Sequence, residues 1–282
     1  MMDKEEIRAF LRAALREDVG DGDHTTLATM PLDAMGSARL LVKDEGVLSG
    51  VGIAQMVFEE VDPNLQFEQL LQDGTRIVRG DVAFLLHGHA ASITIGERLA
   101  LNIMQRMSGI ATKTADMNQM IAHTACKLLD TRKTTPGFRY FEKLAVRHGG
   151  GVNHRFGLYD MILVKDNHID YCGGVKAALE NVKKYLTATG KNLQVEVEAR
   201  NMDEIKAILD ENIAFRILLD NFSPADLKVA VEYINGRVLT EASGGIDENT
   251  IAAYAETGVD FISMGALTHQ ISSLDLSLKA VK

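Results

Sequence analysis

The chain has 282 residues, 46% of them hydrophobic, which is enough for one large domain or two moderate ones around a substantial core. Its formal net charge of −9 argues against a nucleic-acid-binding protein, which would carry an excess of basic residues. Two cysteines are too few for a disulfide framework or a thiolate metal site and fit a reducing compartment. No apolar run approaches the ~20 residues that cross a bilayer and no secretory signal is evident, so we expect a cytoplasmic protein without a membrane partner.

The first part of the chain predicts helices and strands in no strict alternation. Apolar residues at helical spacing indicate an opening helix that ends before the glycine-rich turn at 20–22. Segments 38–47 and 76–87 have the pattern of strands, and 50–61 has the pattern of a helix. A longer helix is expected to start near Gly96 and to run toward residue 121.

After about residue 125, short apolar runs end in a polar residue or glycine, and a helical pattern usually follows. The runs are 127–130, 161–165, 194–198, 216–220, 238–243 and 259–265, with helices expected at 175–187, 202–210, 224–234 and 248–255. The last four runs end about 22 residues apart, as successive βα units of a parallel barrel require. Six such runs are visible, whereas a complete barrel has eight.

Polar residues stand at the ends of these predicted strands. In a βα barrel the carboxyl-terminal ends of the strands point into one shared mouth. The ends carry Arg132 with Lys133, then Lys165, Glu198, Asp220 and the turn Ser243-Gly244-Gly245. This distribution predicts a binding site without reference to any family.

Residues 130–170 are locally basic in an acidic protein, with seven Lys and Arg against five Asp and Glu. Lys143 and Arg147 lie at helical spacing, so we assign them to a solvated helix face. The other basic residues follow apolar runs or glycines. Because Arg presents a planar fork and Lys a compact charge to carboxylates and phosphates, they predict a ligand with several anionic groups.

Two further features complete the predicted site. Glu198 and Asp220 end neighbouring strands and offer the hard oxygen ligands that suit Mg²⁺, although an ion pair with Lys133 or Lys165 remains an alternative. The Ser243-Gly244-Gly245 turn precedes a predicted helix, where backbone N–H groups favour a phosphate. Met264-Gly265-Ala266 repeats this pattern more weakly.

Several motifs, read in order, resemble those of quinolinate phosphoribosyltransferases. In the central region they are DTRKTTPG (130–137), KLAVR (143–147), GGGVNHR (149–155) and LVKDNHI (163–169). Elsewhere they are EDVGDGDHTT (17–26), GERLALN (96–102), SGIAT (108–112), VEVE (195–198), LLDN (218–221), SGGI (243–246) and MGALTH (264–269). The resemblance therefore covers nearly the whole chain.

The resemblance implies an α/β fold with an N-terminal α/β sandwich domain (1–112) and an incomplete, six-stranded α/β barrel of TIM-like type (113–270). A tail (271–282) would return to the N-terminal domain. It also implies a homodimer whose active site lies between the barrel of one subunit and the N-terminal domain of the other, and it leaves further assembly open.

The implied reaction is a glycosyl transfer: phosphoribosyl passes from phosphoribosyl pyrophosphate to quinolinate with decarboxylation, giving nicotinate mononucleotide, pyrophosphate and CO₂. Lys133, Glu198 and Asp220 would be catalytic, and Glu198 and Asp220 would hold Mg²⁺. By resemblance the quinolinate carboxylates are bound by Arg132, His154, Arg155 and Lys165, with Arg98 supplied by the neighbouring subunit. Phosphoribosyl pyrophosphate is contacted by Thr131, Lys133, Asn221 and the two glycine turns, Ser243, Gly244, Gly245 and Met264, Gly265, Ala266.

Two other functions remain open at this stage. One is that of a related phosphoribosyltransferase-like protein from molybdate-transport operons, and the other is a non-catalytic barrel that binds phosphosugars. The set of Arg132, His154, Arg155 and Lys165 favours quinolinate, because a dicarboxylate needs that much positive charge. The pair Glu198 and Asp220 argues against a pure phosphate binder, which would gain nothing from two carboxylates without a metal.

Overall fold

The computed structural model describes residues 3–281, which form two compact units. Unit 2 consists of Asp116–Thr134 and Gly151–His269, and unit 1 contains the rest of the described chain. The segment Thr135–Gly150 thus belongs to unit 1, whereas the sequence analysis placed all of 113–270 in the barrel. An aromatic cluster explains the difference, because the rings of Phe138 and Phe141 pack against Phe10 at centroid distances of 6.0 and 4.9 Å.

The elements of both units, in chain order, are as follows. The helices are α1 (Lys4–Val19), α2 (His24–Thr29), α3 (Val51–Val61), α4 (Ala90–Met120), α5 (Arg139–His148), α6 (Asp166–Cys172), α7 (Val175–Thr189), α8 (Met202–Glu211), α9 (Pro224–Ile234), α10 (Ile251–Ala255) and α11 (Ala266–His269). The strands are β1 (Met35–Val42), β2 (Gly46–Val47), β3 (Gln66–Gln69), β4 (Arg76–Ile77), β5 (Val82–His89), β6 (Lys127–Leu129), β7 (Ile162–Val164), β8 (Val195–Ala199), β9 (Arg216–Asp220), β10 (Leu239–Ser243), β11 (Phe261–Ser263) and β12 (Leu276–Val281).

Unit 1 is built on an antiparallel sheet with the strand order β12-β1-β5-β3. The tail strand β12 pairs along β1 from Ser37 opposite Val281 to Val42 opposite Leu276, so the end of the chain lies in this sheet. Helix α1 starts at a capping box, in which the Asp3 carboxylate accepts the N–H of Glu6 and the Glu6 carboxylate accepts the N–H of Asp3.

The predicted elements of unit 1 are correct in kind but not in all their bounds. Helices α1 and α3 lie where the periodicity placed them. Segments 38–47 and 76–87 each contain two strands, because β2 and β4 leave the main sheet and pair with each other. Helix α4 begins at Ala90, not near Gly96, and a Cβ at Gly96 would lie 2.7 Å from the Phe58 ring. That glycine marks close packing rather than a helix start.

Unit 2 contains a parallel six-stranded sheet in the order β6-β11-β10-β9-β8-β7. All six predicted runs form strands of this sheet. Among the described residues β6 and β7 do not pair with each other, and β6 is extended instead by a bridge between Leu129 and Val152. The sheet is therefore an incomplete barrel of TIM-like type. Within residues 3–281 no helix has the length and apolar character needed to span a membrane.

Helix α5 carries a fully buried carboxylate, Glu142. It accepts hydrogen bonds from Arg106 Nε at 2.8 Å and from the Thr135 hydroxyl and N–H at 2.8 and 3.1 Å. Its neighbour Lys143 is also buried, so the expectation that Lys143 and Arg147 share a solvated face is wrong for Lys143 and holds only for the exposed Arg147. These contacts fix the start of α5 and the chain that leads into it.

We expect Glu142→Ala to lower the free energy of unfolding by about 3 kcal/mol, because it removes the buried carboxylate that pairs with Arg106 and accepts hydrogen bonds from Thr135. Glu5→Ala, which removes an exposed partner of Arg12, should change it by less than about 0.5 kcal/mol. Urea denaturation of the two variants measures the difference. Similar losses in both would show that the Glu142 contacts do not stabilise the fold.

Candidate active site

Glu198 and Asp220 lie at the same edge of the parallel sheet, near the ends of the neighbouring strands β8 and β9. Glu198 is buried and Asp220 is half-buried. Burial raises the pKa of both carboxyl groups, and the charge of Asp220 raises the pKa of Glu198 further. The two carboxylates therefore repel each other in a partly desolvated position, which favours a cation beside them.

Lys165 forms an ion pair with Glu198, but the contact is long. Its Nζ lies 3.9 Å from Oε2 of Glu198, and half of its side chain is exposed. The other Glu198 oxygen accepts the N–H of Asp166 at 3.4 Å. At this distance, and with the lysine half exposed, the attraction contributes little to stability. The alternative of a purely structural ion pair is thus poorly supported.

The loop after β6 places Lys133 against the turn after β11. The Thr131 hydroxyl accepts the N–H of Lys133 at 3.0 Å, and the Thr268 hydroxyl donates to its carbonyl at 2.7 Å. A Cβ at Gly265 would lie 2.8 Å from Cδ of Lys133, so the lysine stem runs directly over that glycine. The structure therefore brings Thr131, Lys133 and Gly265 together, with the side chains of Arg132 and Lys133 exposed.

Arg132 and Arg155 lie close enough to influence each other electrostatically. Burial lowers the pKa of Arg155, and the charge of Arg132 lowers it further. One Arg155 nitrogen, Nη1, donates to the carbonyl of Met161 at 3.2 Å, which orients the guanidinium. Because two guanidinium groups repel each other, an anionic ligand between them would be stabilised.

His154 is engaged on both sides of its ring. Nε2 lies 3.0 Å from Oε2 of Glu196, and Nδ1 accepts the N–H of Arg155 at 2.7 Å. Its own N–H donates to the fully buried Asp130 at 2.8 Å. The family resemblance implies that His154 binds a substrate carboxylate, and in the structure both of its ring nitrogens have partners within the protein.

The turns after β9 and β10 pack directly on each other. Asn221 has a positive φ of 56° and donates its N–H to the carbonyl of Ser243 at 2.9 Å. Its amide nitrogen donates to Asp220 at 2.6 Å. A Cβ at Gly244, where φ is 102°, would lie 2.1 Å from the Asn221 side-chain oxygen. Only glycine fits there. Gly244 therefore allows Asn221 to keep its position and its hydrogen bond to Asp220.

The helix expected directly after this turn starts later than predicted, while phosphate binding by the turn stays a prediction. Helix α10 begins at Ile251 rather than near 248, and the Asp247 carboxylate already accepts the N–H groups of Asn249 and Thr250. A phosphate near Gly244 and Gly245 would have to be met by the turn itself. At the second turn the N–H of Met264 donates to the Leu129 carbonyl, so it is not available to a ligand, while Ala266 opens α11.

We expect Gly244→Ala to destabilise the protein by about 2 to 4 kcal/mol through backbone strain and overlap with Asn221, and to raise the KM for the phosphorylated substrate. Gly245→Ala is the matched control, because φ there is 64° and nothing lies within 4 Å of the added Cβ. It should cost about 1 kcal/mol. Denaturant midpoints and substrate titrations test this, and equal effects at the two positions would contradict the packing argument.

Arg98 is separate from the other predicted site residues. It lies on α4 in unit 1, whereas all the others belong to unit 2. Its side chain is exposed and forms no hydrogen bond or ion pair with the part of the chain that the structure describes.

Three charged residues buried inside the parallel sheet of unit 2 are not among the predicted site residues: Glu196, Arg216 and Glu241. They lie within β8, β9 and β10. Glu196 and Glu241 each come two residues before the polar strand ends Glu198 and Ser243, and Arg216 comes four residues before Asp220. The signal was present in the VEVE motif, because Glu196 and Glu198 are two residues apart and therefore face the same side of the sheet.

The protein contains an incomplete barrel with two carboxylates, several cations and glycine turns at one edge of its sheet. This combination is typical of a protein that binds a polyanionic ligand at that edge. Comparison with known proteins is more specific. Residues 23–108 match the family model described as the quinolinate phosphoribosyl transferase N-terminal domain, and residues 110–279 match the corresponding C-terminal domain. The chain belongs to the quinolinate phosphoribosyltransferase family.

Individual relatives agree with this assignment. The chain is 45% identical over 289 aligned positions to a decarboxylating quinolinate phosphoribosyltransferase (2b, mitochondrial) of Nicotiana tabacum, covering 97% of this chain and 82% of the relative. It is 40% identical to a probable carboxylating nicotinate-nucleotide pyrophosphorylase of Bacillus subtilis, covering 97% and 93% of the two chains. The solved nicotinate-nucleotide pyrophosphorylase of Francisella tularensis is 40% identical and superposes with a TM-score of 0.93, covering 100% and 98%.

Proposed function

We propose that the protein transfers phosphoribosyl from phosphoribosyl pyrophosphate to quinolinate, with decarboxylation, and so forms nicotinate mononucleotide for NAD biosynthesis. The observation that carries the proposal is the pairing of Glu198 and Asp220 with cationic side chains at one edge of the barrel sheet. The proposal is also supported by the family and by the names of its members.

The cations account for recognition of a pyridine dicarboxylate. Arg132 and Arg155 repel each other and together offer planar donor groups that match carboxylates. Lys165 adds a half-exposed ammonium group that is only loosely held by Glu198. A ligand with two carboxylates would replace repulsion among these cations with attraction, so we expect both groups to contribute to binding.

The same edge accounts for phosphoribosyl transfer. The pyridine nitrogen attacks the anomeric carbon while the bond to pyrophosphate breaks and the bonding electrons leave with pyrophosphate. Lys133, held by Thr131 and Thr268, offsets the negative charge on the leaving group. Positive charge develops on the ribose, and Glu198 and Asp220 stabilise it as fixed charges that need no reorganisation.

Decarboxylation then follows from the product of the first step. Once alkylated, the ring nitrogen is cationic and stabilises the carbanion that remains on the adjacent ring carbon when its carboxylate departs as CO₂. A proton then replaces that carboxylate on the ring carbon. The pair of arginines keeps the remaining carboxylate in place, so this step needs no further cofactor.

We further propose that Glu198 and Asp220 hold Mg²⁺. Their carboxylates are hard oxygen donors, and their mutual repulsion and partial burial suit a divalent cation. When bound, Mg²⁺ would neutralise pyrophosphate charge and help to orient it.

We expect removal of divalent cations with a chelator to reduce turnover by at least about 100-fold, and added Mg²⁺ to restore it. Isothermal titration should show that Mg²⁺ together with pyrophosphate binds the wild-type protein and not Asp220→Asn. Full activity in excess chelator would exclude a required metal.

We propose a homodimer whose two sites are each completed by Arg98 of the second subunit. Arg98 is exposed and has no partner in its own described chain. A cavity of about 670 Å³ near β7 and α7 is bordered by Leu158, Tyr159 and Tyr185, which are 71%, 64% and 47% exposed. Large exposed apolar side chains clustered around a cavity are typical of a protein interface. Sedimentation equilibrium tests the dimer.

We also propose a cytoplasmic location. Both cysteines are free thiols, and Cys172 is exposed, which suits a compartment that keeps thiols reduced. Burial raises the pKa of Cys126 to about 12, so that thiol is not reactive. Cell fractionation with an antibody to the protein tests the location.

The direct experiment is to incubate the purified protein with quinolinate, phosphoribosyl pyrophosphate and Mg²⁺ and to identify the product by mass spectrometry. We expect nicotinate mononucleotide. Nicotinate should not replace quinolinate, because it lacks the second carboxylate. Turnover of nicotinate alone would contradict the proposal, and binding of phosphoribosyl pyrophosphate without turnover of quinolinate would indicate a non-catalytic barrel.

A further inference from the structure

The inside of the barrel contains a charged cluster where apolar side chains are usual. Barrel interiors are filled mainly by branched apolar residues. Here Glu196 of β8, Arg216 of β9 and Glu241 of β10 are 0%, 5% and 0% exposed. Removing charges from water costs several kcal/mol per ion. Because burying these charges is so costly, the cluster is not expected to stabilise the fold strongly. Its role is more consistent with fixing the positions of neighbouring side chains.

Arg216 organises this cluster, which we call the inner layer (Glu196, Arg216 and Glu241). Its Nε and Nη2 each donate to one oxygen of Glu196 at 2.9 Å, in a bidentate pair. The guanidinium carbon lies 5.1 and 5.2 Å from the ring centres of Phe215 and Phe261, which restrict its orientation. Its Nε is also 3.2 Å from Oε2 of Glu241.

Glu241 makes no well-aligned hydrogen bond with any residue of the described chain, although both of its oxygens are buried. Burial raises the pKa of Glu241 well above its ordinary value, and the neighbouring Glu196 raises it further. Both effects favour the protonated form of Glu241 over its charged form. Within the inner layer, Arg216 is the cation that balances the charge of Glu196.

His154 joins the inner layer to Arg155. Its Nδ1 accepts the Arg155 N–H, so the ring proton must be on Nε2, which faces Glu196 at 3.0 Å. In this form the imidazole is neutral and both nitrogens are occupied. Arg155 is thus held at its main chain by His154 and at its guanidinium by the Met161 carbonyl.

A metal ion is the other arrangement that these residues suggest. Nε2 of His154 and carboxylate oxygens of Glu196 and Glu241 lie within 4.8 Å of one another. However, Arg216 already places a cation against both carboxylates, and a second cation beside it would be repelled. The guanidinium serves as the counter-charge in this cluster.

We propose that the inner layer positions His154 in its Nε2-protonated form and, through the Arg155 main chain, sets the Arg155 guanidinium for a substrate carboxylate. Glu196, Arg216 and Glu241 are then positioning residues that do not touch the substrate. This inference rests on the proposed function for the role of Arg155, but the state of His154 is independent of any activity.

The kinetic test is Glu196→Gln, which removes the anionic acceptor beside His154 and Arg216. We expect the KM for quinolinate to rise about tenfold while the KM for phosphoribosyl pyrophosphate stays within about twofold. Leu227→Ala is the control, because Leu227 is a fully buried residue of α9 in the same unit and is not a member of the inner layer. It should lower stability and leave the ratio of the two KM values unchanged.

A second measurement is made on the wild-type protein and uses a variant only to assign the His154 signals. Long-range nitrogen–proton NMR of the histidine-labelled wild-type protein, with His154 assigned by its loss in His154→Gln, distinguishes the two tautomers. We expect a protonated Nε2 and an unprotonated Nδ1. A protonated Nδ1, or a proportional rise of both KM values in Glu196→Gln, would overturn the inference. An inactive wild-type protein with the expected tautomer would instead refute the proposed function.

Discussion

Lys133→Ala should reduce kcat/KM for phosphoribosyl pyrophosphate by about 10- to 100-fold, which corresponds to the loss of one charge-assisted contact of about 1.5 to 3 kcal/mol. The lysine is held at its N–H by Thr131 and at its carbonyl by Thr268, and its stem lies over Gly265. These contacts fix the main chain of the residue that carries the ammonium group. Loss of the group should therefore act on leaving-group stabilisation and not on the fold.

Two further variants make this test specific. Lys228→Ala removes an exposed lysine on α9 and should leave kinetics unchanged. Gly265→Ala keeps the ammonium group but pushes the lysine stem away, because the added Cβ would lie 2.8 Å from Cδ. It should reproduce much of the Lys133→Ala loss. Near-normal turnover in Lys133→Ala would remove this residue from the catalytic site.

Mixing two inactive variants should restore activity if the site is shared between subunits. Arg98→Ala and Asp220→Ala alter residues in different units of the chain. In a heterodimer of the two, one site would combine an intact barrel with an intact Arg98. Purified heterodimers should therefore recover about half of wild-type activity, and a random mixture about a quarter.

The control for this experiment pairs Arg132→Ala with Asp220→Ala. Both residues belong to unit 2, so every site in the heterodimer would carry one defect, and activity should not return. Differently tagged subunits, co-expressed and purified in two steps, provide the heterodimers. Recovery in both mixtures, or in neither, would contradict a site completed by Arg98 of the second subunit.

The barrel and the residues at its strand ends were predictable because their physical signals are local. Each buried parallel strand appears as an apolar run, and its end appears as a polar residue or glycine. The ends of parallel strands converge at one edge. Glu198, Asp220 and the turn at Gly244 are therefore brought together by the topology alone, as the sequence analysis expected.

The inner layer and the buried residues of α5 were not predictable in the same way. From sequence alone, a charged residue inside a strand is expected to face solvent. Arg216 is buried because the strand register places it opposite Glu196, and this register is not visible in the sequence. Lys143 and Arg147 share a helix face by spacing, yet only Arg147, in the last turn, is exposed. Such differences depend on what packs along the helix, and spacing does not contain that information.

The compact units also divide the chain differently from the predicted domains. The prediction treated 113–270 as one continuous barrel, but α5 joins unit 1 through the rings of Phe138 and Phe141. The bulky aromatic residues were visible in the sequence. Their partner Phe10 lies far away along the chain, so the contact could not be inferred from local pattern.

The central claim is that one site performs phosphoribosyl transfer and then decarboxylation. Quinolinate labelled at its 2-carboxylate provides the most direct test, with CO₂ and pyrophosphate measured together. The proposal predicts labelled CO₂ in equal amount to pyrophosphate, and none when phosphoribosyl pyrophosphate is omitted. Pyrophosphate release with the label retained in a dicarboxylated nucleotide, or CO₂ release without phosphoribosyl pyrophosphate, would contradict it.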